Sequence, residues 1–134
     1  LDSVFKTNLA EAASVSANSY RGNDARFAGS QVTDGNPETY WTTDDDITTG
    51  QLEINFGSDQ VVRYLLLQEY IQLGQRVKSF SVDVFHDGEW QPVSQATTIG
   101  YKRILRIDPV TASKIRINIL ASKACPVIST VEVY

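Results

Sequence analysis

Residues 66–107 read LLQEYIQLGQRVKSFSVDVFHDGEWQPVSQATTIGYKRILRI, and this stretch decides the fold. At its centre, apolar residues alternate with polar ones until the pair Asp87-Gly88 interrupts them. The alternating apolar residues are Phe80, Val82 and Val84. Alternation at period two is typical of a half-buried strand, and Asp-Gly favours a tight turn because that turn needs positive φ. The stretch therefore predicts a β-hairpin between two polar loops, at 68–76 and 97–103.

Strand patterns recur on both sides of this hairpin. Residues 52–56, 115–119 and 128–134 alternate in the same way, and residues 61–68 form a nearly continuous apolar run, VVRYLLLQ. Gly57-Ser58-Asp59 predicts a turn before that run, and only residues 28–32 suggest a helical turn. Many short strands separated by Gly, Asp and Pro turns predict an all-β fold. We expect an antiparallel β-sandwich or jelly roll.

The composition bounds the classes of partner. The chain has 134 residues and a net charge of −4, with ten acids and three bases in residues 1–60 but six acids and nine bases in residues 61–134. Nucleic acids and anionic membranes are usually bound through a basic face, so the acidic first half argues against both. The same acidity suits a cation. No apolar run approaches the roughly 20 residues of a membrane helix.

The length is that of one domain, and the chain contains no Met and begins at Leu1. We interpret it as part of a longer protein, with residues 1–7 as the remnant of a linker and residues 8–134 as a single domain. Cys125 is the only cysteine, so an internal disulfide is excluded. Its apolar surroundings, Ala-Cys-Pro-Val-Ile, favour a buried, unreactive thiol over a catalytic one.

A turn with oxygen-bearing side chains precedes the first tryptophan, in Thr33-Asp34-Gly35-Asn36-Pro37-Glu38-Thr39-Tyr40-Trp41. This DGN-x-x-T-x-W pattern resembles the metal loop of the galactose-binding-like, or discoidin (coagulation factor V/VIII type C), superfamily. The resemblance implies a structural Ca²⁺, an ion that prefers hard oxygen ligands. The implied side-chain ligands are Asp34, Asn36, Thr39 and Glu132, with backbone carbonyls from residues 28–31. The alternative is a metal-free turn in which Asp34 only caps the backbone.

Several aromatic and charged residues fall on loops that a sandwich presents at its ends. Sugar sites in such modules pair an aromatic face with a few polar side chains. The candidates for sugar or interdomain contact are Trp41, Glu69, Tyr70, Arg76, Tyr101 and Arg103. Two alternatives stay open: Trp41 belongs to the core, and the arginines only pair with Glu69 and the Asp44–Asp46 run.

Specific motifs link the chain to one enzyme class. Asn8-Leu9-Ala10, Ser19-Tyr20-Arg21-Gly22, Leu73-Gly74-Gln75-Arg76-Val77, TTIGYKR at 97–103 and Pro126-Val127-Ile128-Ser129 closely resemble the carboxyl-terminal β-sandwich of bacterial and plant α-L-fucosidases. That resemblance implies a parent retaining glycoside hydrolase whose catalytic carboxylates lie in a separate barrel domain. We therefore expect this chain to be non-catalytic.

The sequence is compatible with two functions. The first is a carbohydrate-binding module that holds a galactose- or fucose-containing glycan weakly. The second is a structural docking domain, whose loops at 68–76 and 97–103 pack on the catalytic barrel of the same chain. The resemblance also implies an extracytoplasmic setting, periplasmic or secreted.

Overall fold

A computed structural model describes residues 8–33, 36, 38–70, 75–99 and 102–134 of the chain. The predicted linker remnant, residues 1–7, lies outside the described residues. Four 3-10 segments occupy the amino-terminal part, at Leu9–Ala12, Arg21–Asn23, Ala25–Phe27 and Gly29–Thr33. The strands are β1 (Ser14–Ala17), β2 (Trp41–Thr42), β3 (Gly50–Glu69), β4 (Val77–His86), β5 (Glu89–Ala96), β6 (Arg103–Ser122) and β7 (Val127–Val133).

All the strand pairs are antiparallel, and the hydrogen-bonded order is β2-β7-β3-β6-β4-β5, with β1 paired to β3. Two long strands, β3 and β6, contribute to both layers of the sandwich. The first half of β3 pairs with β1 and with the second half of β6, which also pairs with β4. The second half of β3 pairs with the first half of β6 and with β7. We call these the first layer and the second layer. The predicted antiparallel β-sandwich is confirmed.

The bend between the layers lies where the sequence predicts a turn. The β3–β6 register shifts between Asn55 and Gln60, and Gly57 adopts a φ of 79° within that interval. The strand assignment nevertheless continues through the bend, so residues 57–59 redirect one long strand instead of ending it. A glycine suits this position because positive φ costs it little.

The core lies between the layers and is built by the period-two residues of the sequence. The residues fully or almost fully buried in it include Leu52, Ile54, Leu65, Leu67, Phe80, Val82, Val84, Ile115, Ile117 and Ile119. The predicted hairpin joins β4 to β5, with Asp87 and Gly88 both at positive φ, 51° and 76°. The helical turn expected near residues 28–32 is present as the segment Gly29–Thr33. No helix among the described residues is long and apolar enough to cross a membrane.

Candidate functional site

The richest cluster of polar and aromatic side chains lies at one end of the sandwich. We call it the loop end; it comprises residues 18–28, 40–49, 75–76 and 123–126 together with Glu69 and Tyr70. Three bonds join segments that are distant in sequence: Arg21 Nε donates to the Thr43 carbonyl at 3.1 Å, Arg76 Nη1 donates to the Cys125 carbonyl at 3.1 Å, and the Lys123 amide donates to the Arg76 carbonyl at 2.8 Å. The loops are therefore cross-linked to one another by hydrogen bonds.

Trp41 lies beneath this end and belongs to the core. Its side chain is fully buried, and its Nε1 donates to the Ser19 carbonyl at 2.9 Å. The ring fills the space above Gly50, where an added Cβ would approach Trp41 Cη2 to 2.6 Å. A ring with no exposed surface offers no platform to a sugar. The core alternative for Trp41 therefore holds, and we remove Trp41 from the sugar-contacting candidates.

Glu69 shapes the connection between β3 and β4. Only 3% of the residue is exposed, and its Oε1 accepts from the amides of Arg76 at 2.8 Å and Val77 at 3.0 Å. The carboxylate thereby supplies the partner that two backbone donors need when they are removed from water. The structure places Glu69 as a support for the loop, with its carboxylate turned toward the backbone. Residues 71–74 of that loop lie outside the described residues.

Two arginines converge on Cys125. Arg76 Nη1 lies 3.2 Å from Cys125 Sγ, and Arg21 Nη2 lies 3.1 Å from the same sulfur. Arg21 also pairs with Asp45 at 2.6 Å. The sequence suggested that Arg76 and Arg103 pair with the Asp44–Asp46 run, but Arg21 makes this ion pair. Cys125 is buried, as expected, although its neighbours include two guanidinium groups as well as apolar residues.

Three half-buried rings from distant parts of the sequence lie in a row at the loop end. We call Phe27, Tyr40 and Tyr70 the aromatic row. The centroids of Phe27 and Tyr40 lie 5.8 Å apart with the planes at 25°, and those of Tyr40 and Tyr70 lie 4.8 Å apart at 38°. Arg26 places its guanidinium 5.5 Å from the Phe27 centroid. The sequence reading found Tyr70 but missed Phe27 and Tyr40. Tyr40 adjoins Trp41 in the turn motif, whereas no local signal marks Phe27.

Charged groups border the aromatic row. The Tyr70 hydroxyl donates to Glu38 Oε2 at 3.3 Å; desolvation raises the pKa of Tyr70, and the Glu38 carboxylate raises it further. Arg26 donates from Nη2 to Asp24 Oδ2 at 2.7 Å, and these hydrogen bonds hold the pKa of the Asp24 carboxyl below its ordinary value. The row therefore combines apolar ring surface with solvent-facing donors and acceptors.

The second predicted loop contributes less. Arg103 Nη1 donates to the Thr98 carbonyl at 3.4 Å, so this arginine closes its own loop. Tyr101, the other candidate there, lies outside the described residues. The described part of the loop, residues 97–99 and 102, has Ile99 buried and Lys102 exposed.

The described metal-ligand candidates lie in two places, with Asn36 and Thr39 in the turn before β2 and Glu132 on β7. Asp34 lies outside the described residues. Asn36 and Thr39 form a local turn, in which Asn36 Oδ1 accepts from the Glu38 amide at 2.9 Å and Thr39 Oγ1 donates to the Asn36 carbonyl at 2.9 Å. Within the backbone stretch 28–31, the Ala28 carbonyl accepts from the Gln31 amide at 3.1 Å. Among the described residues, no group of three or more His, Cys, Asp or Glu side chains is placed to share an ion.

Glu132 faces a cavity of about 120 Å³ beside β7. Thr33, the residue before Asp34, lines the same cavity, as do Asn8, Glu11 and Tyr134. The Tyr134 hydroxyl donates to Glu132 Oε1. Burial first, and the Glu132 carboxylate next, raise the pKa of Tyr134 to about 12. Two carboxylates thus line a small cavity adjacent to the predicted metal turn, which is the donor chemistry a hard cation favours.

Residues 12–133 match the family model of the F5/8 type C domain. Alpha-L-fucosidase 1 of Arabidopsis thaliana is 29% identical over 99% of this chain. The chain spans about a quarter of the length of the curated relatives it matches.

The chain is also similar to solved structures of a fucosidase and of a carbohydrate-binding module. A Ruminococcus gnavus GH29 fucosidase in complex with fucose is 34% identical, with a TM-score of 0.91 over 99% of this chain and 27% of its own. The family 32 CBM of NanJ from C. perfringens, solved in complex with galactose, shares the fold at 20% identity, with a TM-score of 0.82 over 95% of this chain and 97% of its own.

Proposed function

This chain belongs to the F5/8 type C domain family, and from that premise we propose that it is a non-catalytic carbohydrate-binding module. Its parent protein would be a glycoside hydrolase, an α-L-fucosidase that uses the retaining mechanism. The relatives named as fucosidases support the parent's activity, because they match this chain over only about a quarter of their length and have ample chain left for a catalytic domain.

The observation that carries the binding proposal is the aromatic row. Pyranose rings present C–H groups on one face, and aromatic rings bind such faces while leaving the hydroxyls free. The exposed Arg26 and Glu38 side chains and the half-buried Asp24 lie beside the rings and supply donors and acceptors for those hydroxyls. Tyr40 stands at the centre of the row, so it is the residue we expect to contribute most.

The ligand class we propose is a galactose- or fucose-containing glycan. The galactose complex of the NanJ module supports galactose, and the relatives named as fucosidases support a fucose-containing glycan as the parent's substrate. Affinity near the millimolar range, about −4 kcal/mol, is enough for the function. Tethering to an enzyme raises the local glycan concentration, so a weak module keeps its enzyme at the substrate.

A structural Ca²⁺ forms part of the proposal. Asp34, Asn36, Thr39 and Glu132 would hold it, with carbonyls from residues 28–31. The position of Glu132 in a cavity shared with Thr33 and Glu11 supports the site. The ion would tie the amino-terminal turn to the last strand.

Thermal unfolding with Ca²⁺ and with a chelator tests the ion. A bound ion stabilises the native state by RT ln(1 + [L]/Kd), so the melting temperature should rise with Ca²⁺ concentration. Glu132→Gln should abolish the rise, whereas Glu53→Gln on the first layer should keep it. Equal melting temperatures in Ca²⁺ and chelator would rule the ion out.

The second candidate is docking of the loop end onto the catalytic domain, with no sugar binding by this chain. Two exposed apolar side chains favour it: Ile47, at 39% exposure, and Leu120, at 45%, lie in or beside the loops of this end. Apolar groups at a surface lower the free energy of association when a partner covers them.

Glycan-array screening followed by calorimetric titration separates the two candidates. Binding of a defined galactose- or fucose-containing glycan, weakened at least about tenfold by Tyr40→Ala, supports the module. Trp90→Ala is the matched control, because Trp90 pairs with Phe85 on the first layer, with ring centroids 5.2 Å apart, away from the loop end. If no glycan binds, and if Ile47→Asp loosens the parent enzyme, docking of the loop end replaces the module.

A further inference from the structure

The outer side of the second layer is formed by residues of β3 and β6 and by the end of the chain. Tyr64 lies opposite Arg106 on β6 and exchanges two backbone hydrogen bonds of 2.8 Å with Tyr134. Leu66 lies opposite Ile104 on one side and Glu132 on the other. Because Leu65, Leu67 and Val133 point into the core, these alternate residues lie on the other side of the sheet, where Leu66 is 9% exposed and Ile104 is 48% exposed. We call Tyr64, Leu66, Ile104, Arg106, Glu132 and Tyr134 the terminal face.

Both ends of the described chain meet at this face. Asn8 Oδ1 accepts from the Val133 amide at 3.0 Å, and Tyr134 is itself a member of the face. Ile128, where β7 leaves the loop end, is five residues before Val133, which places the two regions about 17 Å apart along the strand. Tyr134, the last residue, therefore lies at the terminal face and away from the aromatic row, and the described chain begins at Asn8 on the same side.

Arg106 of the terminal face and the neighbouring Arg63 carry positive charges that no described residue pairs with. Arg63 and Arg106 are exposed, and neither guanidinium makes a hydrogen bond or an ion pair with any residue that the structure describes. They line a cavity of about 210 Å³ together with Tyr64, Ile107 and Pro109. Ile104 is 48% exposed. Tyrosine, arginine and exposed aliphatic side chains together are the composition that protein interfaces favour.

On the outer side of the first layer, charged side chains are paired within the chain. There Arg116 Nη2 contacts Asp83 Oδ2 at 3.3 Å, and its guanidinium lies 4.1 Å from the Trp90 ring centroid. Asn118 Nδ2 donates to the same Asp83 oxygen at 2.9 Å. Charged and amide groups on that layer thus use one another as partners. Arg63 and Arg106 have no such partner among the described residues.

We propose that the terminal face is the docking surface for the catalytic domain of the same polypeptide, which inserts a carboxylate between Arg63 and Arg106 and covers Ile104. The identity of that domain rests on the proposed function. Guanidinium groups bind carboxylates through paired hydrogen bonds, and burying the contact makes the pairing strong. Docking here leaves the aromatic row open, so one domain can hold its enzyme and its glycan at the same time.

Hydrogen–deuterium exchange on the full-length polypeptide that carries this chain tests the proposal. The double variant Arg63→Glu, Arg106→Glu should speed exchange in residues 61–66 and 103–109 by about tenfold or more, because a reversed charge repels the inserted carboxylate. The matched control is Arg26→Glu at the loop end, which should leave both segments unchanged. Arg106→Gln removes the charge without reversing it, and should give a smaller increase in the same two segments.

The outcomes separate this inference from the proposed function. Exchange in residues 61–66 and 103–109 that neither the double variant nor Arg106→Gln alters overturns the terminal face as the docking surface. Calorimetric titration on the same variants reports glycan binding independently, and the double variant should bind glycan with unchanged affinity. Loss of docking protection with glycan binding intact supports the inference, and so does the same loss in a protein that binds no glycan.

Discussion

The loop end and the terminal face differ in whether their arginines have partners within the chain. At the loop end, Arg21 and Arg76 bond to backbone carbonyls, to Cys125 Sγ and, for Arg21, to Asp45. Arg106 of the terminal face and the neighbouring Arg63 have no such partners within the described residues. Internal pairing fixes a surface in advance, which suits a small uncharged ligand that provides little binding energy. Unpaired charge suits a protein partner that brings its own counter-charge.

The largest expected effect comes from removing the ring that supports the loop end. Trp41→Ala should lower the free energy of unfolding by about 3–5 kcal/mol, because a fully buried ring leaves a cavity against Gly50. Chemical denaturation measures it. Trp90→Ala, on the first layer, should cost only about 0.5–2 kcal/mol, mainly through its lost contact with Arg116. Equal losses from the two substitutions would contradict the burial assigned to Trp41.

A smaller effect should follow from removing the carboxylate that organises the loop between β3 and β4. Glu69→Ala leaves the buried amide of Val77 and the partly buried amide of Arg76 without that acceptor, so we expect a loss of about 1–3 kcal/mol in unfolding free energy. The variant should also weaken glycan binding, since Tyr70 follows Glu69 directly. Glu53→Ala, a half-buried glutamate on the first layer, is the control and should stay within about 0.5 kcal/mol of wild type. Unchanged stability in Glu69→Ala would show that the loop does not depend on this carboxylate.

Period-two patterns in the sequence were sufficient to predict the sandwich. The hairpin with Asp87-Gly88, the strand containing Ile115, Ile117 and Ile119, and the closing strand β7 all lie where alternation places them. Alternation predicts these strands because each has one buried side, so the apolar positions in the sequence identify the residues that face the core. The tertiary partners of the two long strands carry no such local signal.

The candidate site was only partly visible in the sequence. Tyr70 was found because it follows a strand within a polar loop, but its neighbours Tyr40 and Phe27 are 30 and 43 positions away in the chain. Residue types also do not reveal burial: Trp41 and Glu69 suit a sugar site chemically, yet both are buried and serve the fold. Spatial grouping of loops follows from register and bends, which single-sequence patterns do not encode.

Near the chain ends, replacing Asn8 should lower the free energy of unfolding more than replacing an exposed side-chain amide does. Its Oδ1 accepts from the amides of Ala10 and Val133, capping the Leu9–Ala12 segment and joining it to β7. Asn8→Ala should lower unfolding free energy by about 0.5–2 kcal/mol and speed hydrogen exchange at the Val133 amide. Gln95→Ala on β5 is the exposed control and should change neither quantity. Unaltered exchange at Val133 would separate the amino-terminal segment from the terminal face.

The smallest effect is a pH dependence that belongs to Tyr134. Its pKa of about 12, against an ordinary value of 10.0, means that the folded state holds the phenolic proton more tightly than the unfolded chain does. This contribution to stability is complete below pH 10 and is lost as the pH rises toward 12. Tyr134→Phe removes the titrating group and the hydrogen bond to Glu132, which costs about 0.5–1.5 kcal/mol at neutral pH.

The difference between wild type and Tyr134→Phe should therefore stay constant up to about pH 10 and shrink above it, because only the wild type loses this proton. Denaturant titrations between pH 7 and pH 12, with a chelator present to keep cations from Glu132, measure the difference. Tyr20→Phe keeps Tyr134 and should retain the wild-type decline through this range. A difference that stays constant to pH 12 would mean that Tyr134 is not held in its protonated form by burial and Glu132. The terminal face would then lack the hydroxyl–carboxylate bond that closes its last strand.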